Sequence, residues 1–366
     1  MKPRRQALGL TLVELLVSIS IGLVVVGALA ALYISTARSY RQLEALGQLQ
    51  SNARYVFEIM GYDIRMAGNW TCHVPSQPAP ANFVSNYRNN WWSDTGQTLW
   101  GSDETADNNA VGDASFPADY KSQALRGDTL IALRANADET VGKVGNYTDL
   151  GDGAIPFTDP TNIGFKNGQL LLLTDCRTTA ALFKKTEPAA TLSPIGHANN
   201  CKKNLQGQNP DPDPPPGSCP TGGGPQDMSG AKVVPLSANA YYLRNSGRKY
   251  GNSSNYIPSL YRESLTGTGM PRSEELVSGV TDLQILYGVG APSADGTLVI
   301  NAYATASNVS DWSRVLSVRV TVTLESQDDN VSDVSRSFTL GNGTVVTDRR
   351  LRRSYTMTFG LRKRLS

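Results

Sequence analysis

Histidine is nearly absent from this chain, with only His73 and His197 among 366 residues. General acid–base chemistry near neutral pH most often uses histidine, so such a composition leaves it few candidates. Nucleophile, zinc-protease and phosphate-loop signatures are missing as well: no Gly-x-Ser-x-Gly or His-Glu-x-x-His occurs, and Gly142-Lys143 is followed by Val144 where Ser or Thr would be needed. Cys-x-x-Cys does not occur, and neither histidine is spaced with a cysteine as metal ligands are. Asp149, Asp152 and Asp159 could approach a calcium ion, but the twelve-residue ligand pattern is lacking. The sequence therefore predicts no enzyme, no cofactor and no metal site. Net charge is also scarce, at +2, which gives no support to a generally nucleic-acid-seeking surface.

The most informative absence is local. From Leu15 to Ala37 there is no charged residue, a run of 23, long enough to cross a hydrocarbon core of ~30 Å as a helix. Lys2, Arg4 and Arg5 precede it, so the positive-inside bias predicts a cytoplasmic N-terminus and an exported body after Arg38. Three readings compete for this segment. A secretory signal peptide has an apolar core of about 7–15 residues, and this one is longer. A plain membrane anchor fits the length but leaves Glu14 unexplained, because an unpaired carboxylate at the bilayer costs up to a few kcal/mol. In the third, cleavage after Gly9 makes the Leu10 amine a cation that the Glu14 carboxylate of a neighbouring subunit can neutralise.

The string RRQALG followed by LTLVELL resembles the class III signal of type IV prepilins, in which a basic leader ends in Gly and Glu is the fifth residue of the mature chain. Gly9, Leu10 and Glu14 match; the family more often begins the mature chain with Phe. The resemblance implies processing at Gly9/Leu10 by a prepilin peptidase, N-methylation of Leu10 and Glu14 as an assembly contact. Loss of the leader takes Lys2, Arg4 and Arg5 from the 34 basic residues and leaves 31 against 32 acidic ones.

Helical spacing continues through Tyr40, Leu43, Leu46, Leu49, Ala53, Val56, Met60 and Ile64. No proline interrupts Leu10 to Met66, which predicts one rod, apolar all round in its first half and needing cover on one face in its second. Gly22 and Gly27 are places where it could bend, or where helices could approach closely. The stretch ARYVFEIMGYDIRMAGNWTC, Ala53 to Cys72, resembles the helix end of the PilW family of minor pilins. Gly68 is placed to cap the helix in the left-handed region, and Asp63 and Arg65, two apart, should reach for the following domain.

The predicted organisation is a leader 1–9, a membrane and assembly helix 10–37, an amphipathic continuation 38–68, a loop-rich surface excursion 69–126 and a β-sheet head 127–366 with a Pro/Gly-rich loop 202–230. Strands are predicted at Asp128–Arg134, Gln169–Thr174, Lys232–Arg244, Thr281–Gly288, Ser313–Glu325 and Arg353–Leu361. In RVLSVRVTVTLE, apolar Leu316, Val318, Val320, Val322 and Leu324 alternate with Ser317, Arg319, Thr321, Thr323 and Glu325, which reads as one buried and one wet face. The expected fold is α+β, a pilin-like long helix packed on an antiparallel sheet. YYLR, SLYRE, ELVSGVTDLQILYGV and RRSYTMTFGLRKR also resemble strands of PilW-type pilins and, less closely, of J-type pseudopilins of type II secretion. The family often closes with Arg-Asn-Arg where this chain has Arg362, Lys363 and Arg364.

In an oxidising compartment the four cysteines allow three pairings. Cys201 and Cys219 flank a segment poor in apolar residues that a local bridge would restrain, leaving Cys72 to clamp the rod end to Cys176. The resemblance implies a structural subunit of a type IV pilus priming or tip complex. Its implied partners are other minor pilins, the major pilin, the prepilin peptidase and the inner-membrane assembly machinery. It would be held in the inner membrane before assembly and on the cell surface after. The alternatives are a J-type pseudopilin, or an adhesive or DNA-binding pilin using the basic cluster Arg349, Arg350, Arg352, Arg353, Arg362, Lys363 and Arg364 or the Trp91/Trp92 loop.

Overall fold

A computed structural model of the chain describes residues 11–71, 79–84, 90–104, 127–136, 142–145, 154–156, 164–176, 180–186, 194–196, 229–251, 255–265, 271–293, 298–341 and 343–364. Gly9, Leu10, Cys72, Cys201, Cys219, both histidines and most of the 105–126 and 202–230 segments lie outside these.

One helix, α1 (Leu12–Met66, 55 residues), starts at Thr11 and runs unbroken past Gly22 and Gly27, about 83 Å at 1.5 Å per residue. It ends where the sequence predicted: Gly68 adopts φ 74°, and its N–H donates to the Leu133 carbonyl (2.9 Å), so the chain leaves the helix already tied to a strand. Its two halves differ. Leu12 to Tyr40 is exposed along nearly all its length, while Leu49, Ala53, Val56, Phe57, Met60 and Ile64 are buried. The apolar stripe was expected to be covered from Tyr40, but Tyr40 and Leu43 are 70% and 67% exposed. Gln42, seven residues before Leu49, still reaches the head at the Val331 carbonyl (3.2 Å), so Tyr40 and Leu43 lie off the covered face of the helix.

The described residues contain seventeen strands. The first eight are β1 (Ala81–Asn82), β2 (Leu99–Ser102), β3 (Thr129–Ala135), β4 (Gly142–Lys143), β5 (Ala154–Pro156), β6 (Leu170–Thr174), β7 (Ala180–Lys184) and β8 (Pro194–Gly196). The rest are β9 (Lys232–Lys249), β10 (Tyr256–Leu265), β11 (Pro271–Ser278), β12 (Val280–Pro292), β13 (Leu298–Ala304), β14 (Val315–Glu325), β15 (Arg336–Thr339), β16 (Val345–Asp348) and β17 (Arg352–Gly360). The six predicted strands are all present, and the strand-like SLYRE and the start of ELVSGVTDLQILYGV fall on β10 and β11; β13 and the shorter strands were not predicted. Long β9 is the spine of one sheet, β1-β7-β6-β9-β10-β11, with β3 and β4 also on β9 and β2 on β3. A second sheet has the order β13-β12-β14-β17, antiparallel throughout.

The buried half of α1 covers one face of both sheets. Its stripe meets Tyr241, Leu243 and Leu260 of the first sheet and Leu283, Ile285, Val318, Val320, Val322 and Phe359 of the second. This is the predicted helix-on-sheet α+β fold.

Two expectations need correction. The segment after Gly68 was read as a surface excursion, yet Trp70, Trp91, Trp92 and Trp100 are at most 6% exposed. They pack with Ile131, Leu133, Val234 and Tyr242 on the back of the first sheet. Four large rings dispersed among prolines and polar residues give no period to read, and burial of that much ring surface orders a segment without regular structure. The outer face of β14 is also not wet throughout, because Ser317, Thr323 and Glu325 are at most 5% exposed. Ser317 lies against the Tyr303 hydroxyl (3.1 Å) and Thr323 against Ser354 (2.8 Å), and the insertion between β14 and β17, with its hairpin β15–β16, reaches back to the same sheet, where the Gly341 N–H donates to Asp282 (2.6 Å).

Candidate functional site

At the start of the rod, Thr11 is the N-cap of α1 and Glu14 its third residue. The Glu14 N–H donates to Thr11 Oγ1 (3.3 Å) and the Glu14 carboxylate accepts from the Thr11 backbone N–H (3.4 Å). This reciprocal pair is a capping box. It gives Glu14 an intramolecular reason to stand where it does, one that the sequence already carried as Thr-x-x-Glu and that the plain-anchor reading overlooked. Further along, Ser18, Ser20 and Thr36 each donate their hydroxyl to the carbonyl four residues back, at 2.7–2.9 Å, so these polar groups are satisfied within the helix, as an apolar medium requires. The helix is long and apolar enough to span a membrane, and its most apolar stretch has no cover from the described residues of the head.

Where the rod meets the head, Asp63 is 3% exposed. It accepts from Arg134 Nε (3.1 Å), Asn239 Nδ2 (2.6 Å) and the Tyr241 hydroxyl (2.5 Å). Arg134 in turn stacks its guanidinium 4.7 Å from the Tyr62 ring centroid and donates to the Ala135 carbonyl. Burial, and then the Asp63 charge, push the Tyr241 phenol well above its ordinary range, so it stays a donor. Arg65 faces the second sheet, 5.5 Å from the centroid of the Phe359 ring. Between these two side chains Gly61 lets β17 approach: a Cβ there would sit 2.3 Å from the Phe359 ring. Asp63 and Arg65 do contact the head, as expected. Their partners, 71 to 294 residues away in the chain, carried no signal of their own.

The C-terminal basic cluster is largely spent inside the protein. Arg352 makes a bidentate pair with Asp348 (2.7 Å for each arm) and also bonds Glu325, with its side chain 6% exposed. Arg350 donates to the carbonyls of Ser326 and Gln327 and stacks on Tyr250. Arg364 donates to the carbonyls of Trp312 and Val315, and burial pulls its pKa down to about 10, Asp311 offsetting part of this. Arg349 reaches Asn330. These contacts engage Arg350, Arg352 and Arg364, whereas Arg353 and Arg362 are exposed; Trp91 and Trp92 are core residues. Cys176 is disulfide-bonded, while the other three cysteines lie outside the described residues. Among the described residues no group of three or more His, Cys, Asp or Glu side chains could hold a metal ion.

Residues 240–363, from β9 to the C-terminal turn, match the family model described as type IV pilus-assembly protein W, and residues 4–30 match the prokaryotic N-terminal methylation motif. These matches support a type IV pilin of the PilW family. The two matches fall on the two parts just described: the methylation motif spans the capped start of the rod, and the PilW segment supplies Tyr241, Phe359 and the whole second sheet that receives the rod's other end. No curated protein and no solved structure matches the chain.

Proposed function

We propose that this PilW-family pilin is a minor, structural subunit that helps to start pilus assembly and sits in the priming or tip complex, without catalytic activity. The observation that carries this reading is the division of α1: Leu12 to Tyr40 exposes apolar side chains with no cover from the described residues of the head, while Leu49 to Ile64 is sealed onto the head. A rod built in this way needs lipid or other rods around its first half. The basic leader favours a cytoplasmic N-terminus and a head on the far side of the inner membrane. The prepilin peptidase then cuts between Gly9 and Leu10, Leu10 is N-methylated, and the rod leaves the bilayer to join other minor pilins and the major pilin under the assembly machinery.

Glu14 tests this. The capping box accepts Gln as well as Glu at the third position, whereas neutralising a buried amine requires the charge. If Glu14 pairs with the Leu10 amine of a neighbour, Glu14→Gln and Glu14→Ala are both processed after Gly9 but fail to enter sheared surface fibres, since breaking a buried pair from one side costs roughly 3–5 kcal/mol. If Glu14 serves only its own helix, Glu14→Gln enters fibres normally, and intermolecular pairing is refuted.

A further inference from the structure

Unpaired sheet edges are liabilities that proteins usually blunt with proline, charge, bulges or brevity. In the first sheet β1 has two residues, and β11 opens on Pro271, carries Arg272, Glu274 and Glu275, and pairs across a bulge. The second sheet is blunted less, by Arg353 at one end of β17 and by a single bulge at Asn301 of β13. Its edge strand β17 pairs with β14 over nine residues without a register shift and with no other strand, and Ser354, Thr356, Met357 and Thr358 are exposed on both faces. Its other edge, β13, reads LVINAYA, with no charge, proline or glycine, and Leu298 and Val299 are 43% and 48% exposed. Of the large apolar side chains exposed beyond the rod among the described residues, three of six, Leu298, Val299 and Met357, lie on these two edges. Away from the bulge, alternate residues of each strand turn their N–H and C=O groups outward, where no strand among the described residues pairs with them.

The topology says how these edges can be used. Four strands alternate in direction, so β13 and β17 run opposite ways at the two ends of the sheet. A second copy brought up in the same orientation therefore presents its β17 antiparallel to the first copy's β13, with the helix-bearing faces on the same side. Pairing two β13 strands instead needs a two-fold axis normal to the sheet, which would point the two rods in opposite directions, and two chains anchored in one membrane cannot do that. We propose that β13 of one copy takes up β17 of a second copy by strand addition, joining heads edge to edge in a head-to-tail contact. The rods then point in the same sense, splayed by the twist that four strands accumulate. The inference rests on the anchored-pilin reading for this shared sense of the rods.

The test uses the full-length chain in inner-membrane vesicles with a short bismaleimide. Asn301→Cys and Thr356→Cys, both on exposed positions, should each give no more cross-linked product than the parent, and the double variant should give dimers and higher multimers. Adding Val299→Lys or Met357→Lys, which alter exposed side chains, should abolish that product. The proposal is overturned if the double variant does not cross-link, if Asn301→Cys alone yields a dimer, if the product contains only a different pilin, or if the lysine variants leave it unchanged. Entry of the parent chain into sheared fibres is scored in parallel. Fibre entry without cross-links refutes strand addition alone, and cross-links without fibre entry refute the pilin reading alone.

Discussion

Asp63 offers the sharpest check on how the rod is held. Asp63→Ala removes the carboxylate that accepts Arg134, Asn239 and Tyr241, leaving a guanidinium buried without its counter-charge. Removing one member of such a pair costs about 3–5 kcal/mol. With a urea dependence near the upper end of about 1–3 kcal/mol per molar, the unfolding midpoint of the head should fall by roughly 1–2 M. The head carries its own reporter, since Trp70 follows the helix by four residues and is buried; its fluorescence in the detergent-solubilised full chain follows the transition. Asp63→Asn keeps an acceptor but no charge and should fall between the parent and Ala. The double change Asp63→Leu with Arg134→Met removes both charges and should recover most of the loss, because the desolvation of an ion pair offsets much of its attraction. A midpoint for Asp63→Ala within about 0.3 M of the parent, on the same denaturant scale, would refute the joint as described. So would a double variant less stable than the single one.

Three further outcomes are expected. Gly61→Ala should destabilise the head by about 1–3 kcal/mol through overpacking against Phe359, and combining it with Phe359→Leu should relieve most of this in the same urea assay; if the single change is neutral, the close approach of β17 is not tight. Asp128 accepts from the Ile285 N–H (2.6 Å) and the Glu104 N–H (3.0 Å), yet burial, aided by Asp103 and Asp282, lifts its pKa from 3.8 to about 7. A carboxyl whose folded pKa is raised favours folding most when protonated, so stability should decline as pH rises from about 4 through 7, by up to about 4 kcal/mol. Asp128→Asn should flatten that decline, and an unchanged profile would remove Asp128 as its source. Non-reducing peptide mapping should join Cys201 to Cys219 and Cys72 to Cys176; a Cys72–Cys201 link would show that the division between rod end and loop was misplaced.

What the sequence disclosed and what it withheld follow from the range of the interactions. Periodicity is local, so the rod, its end at Gly68 and the alternation in β14 were all legible. So was the start of the rod, since Thr11 and Glu14 are three residues apart and a capping box is a local pattern. The environment of Asp63 was half legible: a carboxylate two residues from an arginine on a helix must look elsewhere, but nothing in the chain marks Arg134, Asn239 or Tyr241 as its destination. Trp91 and Trp92 misled because turn-rich composition argues for exposure, while two adjacent indoles argue for burial, and the apolar surface of the rings decides. Arg352 and Glu325 misled in a similar way. Alternation assigns both to the solvent side of their strands, and only the fold-back of the intervening insertion encloses them.

The hydroxyls of Ser18, Ser20 and Thr36, bonded to their own helix, have a consequence for transport. Beyond the first turn, neither they nor the backbone of the rod present an unmet hydrogen bond to the surroundings, so for most of its length the rod is indifferent to whether its neighbours are acyl chains or other helices. Between Thr11 and Ala37 the only charge is Glu14. On the proposed reading, transfer from bilayer to fibre would then be close to balanced along the shaft. One carboxylate at its end would set the direction in which the subunit partitions, and an assembly motor would need to supply little work beyond moving that group from one set of neighbours to the other.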